Sequence, residues 1–165
     1  MSLSIIQVNT LSLGEFIKTF ADIAEHSPWV AEAAANSRPF TDRAAMINAF
    51  QQALNHADKA DQLTLIRAHP DLAGKAKLTQ DSKSEQQGAG LDSLTKDELA
   101  SFTQLNQTYK DKFEFPFIFA VKGADKTQIL ASFALRVTND IDREFETALQ
   151  NICRIFMFRL EDQIK

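Results

Sequence analysis

Glu114-Phe115-Pro116-Phe117-Ile118-Phe119-Ala120-Val121 is the stretch on which the fold class turns. Its aromatic and branched residues have the composition of a strand, and Pro116 prevents the run from continuing a preceding helix. A strand needs a partner, and no second strand candidate occurs elsewhere in the 165 residues. The run therefore reads as buried extended chain. Its backbone N–H groups must find acceptors, and a ligand could be one of them. With no strand pair, the chain reads as all-α.

Helical signals flank the run on both sides. Upstream, Thr95-Lys96-Asp97-Glu98 is a capping box. Leu99, Phe102, Asn106, Tyr109 and Phe113 then form a stripe along a long helix. Asn106 and Tyr109 are polar groups on that apolar stripe, so each needs a buried partner. Downstream, Ile129, Leu130, Phe133, Ala134 and Val137 predict a helix over 126–137. A last helix, about 140–162, places Phe145, Ile152 and Arg159 seven apart, with Ile141, Ala148, Leu149, Ile155 and Phe156 on the same face. Arg154 falls on the polar side. A guanidinium on an apolar face needs an anionic partner, either a structural carboxylate or an anionic substrate. Arg136, seven after Ile129, poses the same question.

Towards the N-terminus, Ser12-Leu13-Gly14-Glu15 is another capping box. The spacing of Leu13, Phe16, Ile17, Phe20 and Ile23 predicts a helix over 13–24. Pro28 suits the first turn of a short helix over 29–36. A helix over 42–55 starts at Thr41 or Asp42 and ends by His56, whose cation would suit the helix dipole. Residues 58–67 form a helix that must stop before His69, because the residue preceding Pro70 is pushed out of the α region. About seven helices over residues 1–165 are expected as one domain.

Composition narrows the function. The chain is 44% hydrophobic and 24% charged, an ordinary globular balance. A net charge of −4 gives no basic footprint for nucleic acid. No apolar run is long enough to span a membrane, no signal peptide is evident, and the chain reads as cytoplasmic. Cys153 lies among Ile152, Ile155 and Phe156 and reads as a buried, inert thiol. Histidines at 26, 56 and 69 form no metal-ligand pattern, so no metal is expected. No nucleotide-binding loop or nucleophile elbow is present.

The chemistry gathers between Leu65 and Asp92, LIRAHPDLAGKAKLTQDSKSEQQGAGLD, where helical periodicity breaks down. His69 stands before Pro70, and the acid–amide pair Glu85-Gln86 follows in a segment rich in Ser and Gly. Histidine transfers protons near neutral pH, and an arginine can clamp a carboxylate. The set suits acid–base work on a small anionic molecule. From spacing alone, a lone histidine near a glutamate in a loop is more often structural than catalytic.

These residues resemble a known family, the 2-oxo-4-hydroxy-4-carboxy-5-ureidoimidazoline (OHCU) decarboxylases of urate degradation. The resemblance rests on His26-Ser27-Pro28-Trp29-Val30 and on Arg67-Ala68-His69-Pro70-Asp71-Leu72-Ala73-Gly74. It extends through Ser82 with Glu85-Gln86, Ala89-Gly90-Leu91, and Asn106 through Ile118. It runs over roughly 13–160, and the HPDLAG and SxxEQxxAGL pieces in this order are specific. One departure is Glu114, where the family pattern has glycine, so the local backbone turn is expected to differ.

The resemblance implies an all-helical homodimer that converts OHCU to (S)-allantoin and CO₂ without metal or organic cofactor. It implies that His69 is the acid–base group, Glu85 its partner carboxylate and Arg159 the substrate-binding arginine. Ser82 and Gln86 would bond the substrate's polar atoms. The Pro70 carbonyl and the backbone around Phe117, Ile118 and Val121 would line the pocket. Two rival readings keep the same pocket: a catalytically silent module binding allantoin-like ligands, and a decarboxylase of a related ureido or imidazolinone acid.

Overall fold

The computed structural model describes residues 2–74 and 78–165. Among them the chain is helical, and its one β feature is an isolated bridge between Leu3 and Ile164. Two compact units are distinguished: Met1–Leu65 with Ile152–Lys165, and Ile66–Asn151.

The first unit contains α1 (Ile5–Thr10), α2 (Leu13–Phe20), a 3-10 turn (Ala21–Ile23), α3 (Trp29–Ala35) and α4 (Arg43–Asn55). It also holds most of α5 (Lys59–Ala68) and the end of α9 (Ile141–Gln163). The Ser12–Glu15 capping box forms as the sequence predicts, and the Asp42 side chain caps α4 by accepting from the Ala45 N–H. Two features differ from expectation. α1 was not anticipated; its six residues are too few to show a period, and it is recognisable only by the Ser4–Gln7 capping box. The helix expected over 13–24 closes at Phe20 and tightens into the 3-10 turn. Phe16, Phe20, Phe50 and Phe156 form the aromatic centre, all at most 1% exposed. Deep burial of such rings is the dominant stabilising term, roughly 1.5–3 kcal/mol for each.

The second unit contains the end of α5, α6 (Gln80–Gly88), α7 (Lys96–Phe113), α8 (Lys126–Arg136) and the start of α9. The Thr95–Glu98 capping box begins α7. Its inward stripe is as expected: Phe102, Asn106, Tyr109 and Phe113 are buried. Leu99, expected on that stripe, is 41% exposed in the first turn, and Ile141 is 51% exposed at the start of α9. Both are at helix ends, where the inward face has not yet met a neighbour. The run 115–121 is extended chain without a ladder, as the missing partner strand requires. Phe117 lies flat on Phe133, with centroids 3.8 Å apart and planes 8° from parallel.

Glu114 closes α7 with φ 61° and ψ 24°, the left-handed conformation of a helix C-cap. Glycine adopts that region freely, whereas a side chain there is strained. The departure from the family's glycine thus falls on a position whose backbone favours glycine. The Arg67 Nε donates to the Glu114 carbonyl at 3.1 Å, holding the cap against the end of α5.

Candidate functional site

α5 ends at Ala68, and His69, directly before Pro70, leaves it 9% exposed. The loop that follows is pinned at three points. Asn106 Nδ2 on α7 donates to the Leu72 carbonyl at 2.9 Å, which supplies the buried partner the sequence demanded for Asn106. The Ala73 N–H donates to Gln86 Oε1 at 3.0 Å. Lys110 Nζ lies 2.7 Å from Asp71 Oδ2, an ion pair partly open to water and therefore worth little on its own. Ala73 has φ 55°, a strained value for a residue with a side chain. Such strain persists only where surrounding contacts over-determine the loop, as these do.

Ser82, Glu85 and Gln86 stand on α6, within the stretch whose sequence shows no helical period. Its nine residues, QDSKSEQQG, contain no apolar group, so no hydrophobic period could announce it. Thr79 is the usable signal: its side chain accepts from the Ser82 N–H and caps the helix. Helical spacing of three and four places Ser82, Glu85 and Gln86 on one face. Ser82 and Gln86 are buried there, 5% and 7% exposed, and Glu85 is half-buried. Gln86 therefore does structural work on the histidine loop through its oxygen.

The remaining expected pocket residues belong to the extended run. Phe117, Ile118 and Val121 are 1%, 2% and 5% exposed. The Ala120 N–H donates to Asn151 Oδ1 at 3.1 Å. Among the described residues, no acceptor meets the N–H groups of Phe117, Ile118, Phe119 or Val121.

The two arginines resolve differently. Arg136 is 7% exposed; its Nε donates to Glu144 Oε1 at 2.6 Å and its Nη1 to the Ile118 carbonyl at 2.7 Å. Tyr109 donates to the same Glu144 oxygen at 2.6 Å, the buried partner expected for it. Asn139 Nδ2 donates to Glu144 Oε2 at 3.0 Å. Glu144 is fully buried, and sequence reading missed it because a carboxylate at the start of a helix reads as a favourable dipole charge. Arg159 belongs to the first unit, where its Nη2 is 2.8 Å from Glu25 Oε1 and its Nη1 donates to the Asp22 and Ile23 carbonyls. Of the two anionic partners its position allowed, a structural carboxylate is present, Glu25.

A cleft of about 480 Å³ in the first unit is lined by Trp29, Gln52, His56, Asp58 and Asp61, with small residues between them, and by none of the expected site residues. Among the described residues, no group of three or more His, Cys, Asp or Glu could hold a metal ion, and no helix is long and apolar enough to cross a membrane. Cys153 is half-buried, and burial pushes its thiol up to about 11, which keeps it protonated at neutral pH.

A histidine at a helix end and a polar helix face carrying serine, carboxylate and amide are residue types suited to proton transfer on small polar molecules. The described residues thus form an all-helical scaffold that carries residue types suited to acid–base chemistry on small molecules. Comparison supplies the family. The OHCU decarboxylase family model matches residues 9–161, spanning parts of both units, and the chain belongs to that family. It is 41% identical to the 2-oxo-4-hydroxy-4-carboxy-5-ureidoimidazoline decarboxylase of Haloferax volcanii, over 98% of this chain and 96% of that protein. It is 42% identical to the uric acid degradation bifunctional protein of a Bacillus species, over 94% of this chain and 31% of that longer protein. Its fold is similar to the crystal structure of an (S)-allantoin synthase, with a TM-score of 0.81 and 30% identity over 98% of this chain and 54% of that one.

Proposed function

We propose that this protein decarboxylates OHCU to (S)-allantoin and CO₂ in urate degradation. The carrying observation is the family match over residues 9–161, in a chain that retains both His69 and Glu85. The chemistry explains how side chains alone serve. When the carboxyl C–C bond breaks, its electron pair forms a C=C bond to the adjacent imine carbon, the C=N π pair moves onto the nitrogen, which takes up a proton, and an enol results. The enol then collapses to the ring carbonyl, losing its hydroxyl proton as one proton is added to the former imine carbon. The substrate is its own electron sink, so the protein's task is to orient the carboxylate and deliver a proton to one face.

In this reading His69 is the acid–base group. Glu85, on the inward face of α6, holds the hydroxyl or ureido end and disfavours the nearby substrate carboxylate in the ground state. Ser82 and the Gln86 amide nitrogen bond the ureido and ring atoms, while the Gln86 oxygen serves the loop. The Pro70 carbonyl and the backbone of Phe117, Ile118 and Val121 line the pocket. Arg159 binds the anionic substrate in addition to its pairing with Glu25. Metal and organic cofactor have no part in the scheme. The working form is a homodimer in the cytoplasm, as the family resemblance implies.

The test is circular dichroism on OHCU generated in situ by urate oxidation and hydrolysis. The wild-type protein should build the (S)-allantoin signal faster than spontaneous racemic decay. His69→Asn and Glu85→Gln should lose at least ~100-fold in rate, the usual scale for a positioned proton-transfer group. Arg159→Lys should chiefly raise KM. A folded wild-type protein that leaves the racemic decay unchanged refutes the enzyme reading; allantoin binding without turnover would then identify a silent binding module.

A further inference from the structure

The Arg136 cluster holds the extended run by the carbonyl of Ile118 and by the ring of Phe117. Arg136 Nη1 donates to that carbonyl at 2.7 Å, and the guanidinium lies over the Phe117 ring, 4.3 Å from its centroid. The guanidinium is itself held in place by Glu144 Oε1, 2.6 Å from its Nε, on which Tyr109 also converges. Two residues further on, Asn151 accepts the Ala120 N–H at 3.1 Å, and its own Nδ2 is fixed by the Thr147 carbonyl at 3.0 Å.

Peptide geometry gives this grip a consequence. The only cis peptide among the described residues is Arg38–Pro39, so the Ile118–Phe119 peptide is trans. In a planar trans peptide the C=O of one residue and the N–H of the next point in opposite directions. With the Ile118 carbonyl turned to Arg136, the Phe119 N–H is turned away from it, and no acceptor among the described residues meets that N–H. Phe119 is half-buried, the least buried residue of the run 115–121, so its N–H is left to water or to a molecule that displaces the water.

We propose that Arg136, braced by Glu144 and Tyr109, is a positioning residue that fixes the Ile118–Phe119 peptide so that the Phe119 N–H is a preset donor for an oxygen of the bound ureido acid. Asn151 locks the next peptide in the same way. The inference rests on the proposed decarboxylase reading and deepens it. Arg136 touches no substrate; it removes the rotation of a peptide plane before the substrate arrives, which is where backbone donors gain their effect over water. Glu144 and Tyr109 keep the guanidinium from swinging towards the substrate's own carboxylate.

Two variants test this. Arg136→Lys keeps a cation opposite Glu144 but removes the forked donor that reaches Ile118. Asn151→Leu removes the acceptor for Ala120 at a half-buried position and leaves the Arg136 cluster intact. Phenylalanine-selective ¹⁵N labelling reads the run directly: the Phe117 and Phe119 amide resonances should move or broaden in both variants, while Phe16 and Phe20 in the other unit stay in place. kcat/KM for OHCU should fall about 10–100-fold, the scale of a small misplacement of a reacting group, and the enantiomeric excess of the allantoin should drop. Unmoved Phe117 and Phe119 resonances would overturn the proposal, and so would moved resonances with kcat/KM within twofold of wild type. If Arg136→Lys does not fold, Asn151→Leu decides by the same criteria. Failure of the decarboxylase reading shows separately, as wild-type protein without turnover.

Discussion

Removing the hydroxyl of Tyr109 isolates one donor on the most deeply buried charge of the second unit. Tyr109 and Glu144 are both fully buried, and the phenol donates to Glu144 Oε1 at 2.6 Å. In Tyr109→Phe the ring keeps its neighbours, with Phe113 at 4.5 Å and Phe117 at 5.4 Å between centroids, so no cavity opens. The carboxylate keeps Arg136 and Asn139. The cost is therefore that of one hydrogen bond to a charged acceptor, about 2 kcal/mol. Breaking the ion pair outright at Arg136 would cost more, roughly 3–5 kcal/mol. For a chain of this size about 2 kcal/mol corresponds to a fall in Tm of roughly 4–8 °C. Urea unfolding followed by far-UV circular dichroism measures it, with the slope against urea unchanged.

The same residue offers an independent reading, because it is the chain's one tyrosine. Burial, then the hydrogen bond to Glu144 and that group's charge, push its ionisation well above the ordinary 10.0. A group raised in the folded state stabilises fully below its unfolded value, and that stability is lost as pH rises beyond it. Native protein should show no tyrosinate absorbance near pH 10, and its stability should decline above that pH until unfolding releases the phenol. A Tyr109→Phe protein within 0.5 kcal/mol of wild type, or a native tyrosine titrating near 10, would refute the reasoning.

Two further outcomes follow from local geometry. Glu114→Gly should stabilise the protein by roughly 0.5–1 kcal/mol, since relief of the left-handed side chain outweighs glycine's greater chain entropy; a lower urea midpoint would show that the Glu114 side chain contributes more than its strain removes. Glu98 is held below 4.5 by its hydrogen bond from Lys126 and then by the Thr95 N–H of the capping box. A depressed carboxylate contributes stability above 4.5 that is lost as pH falls through its folded value, so Glu98→Gln should flatten the acid limb of the stability curve, and an unchanged limb would remove Glu98 from that account.

The helical architecture was legible in the sequence wherever a local signal exists. Capping boxes at Ser12 and Thr95 and the inward stripe of α7 depend on residues three or four apart. Their geometry is set by the helix itself, and it needs no tertiary information. The extended run 115–121, beyond the left-handed cap at Glu114, was legible by elimination, because a strand without a partner has nowhere to place its hydrogen bonds. The demand for buried partners at Asn106, Tyr109 and Arg159 was equally readable, because an apolar face cannot hold a bare polar group.

Which partners answer that demand was a tertiary matter. Leu72, Glu144 and Glu25 stand 34, 35 and 134 residues from the groups they satisfy, and no local spacing encodes such pairings. α6 escaped notice because its nine residues are polar throughout and its burial is decided by the loop it meets, through Gln86 and Ala73. The direction of the Ile118 carbonyl is likewise absent from the sequence. Extended chain leaves each peptide free to face either way, and only a distant guanidinium arriving beside it selects one.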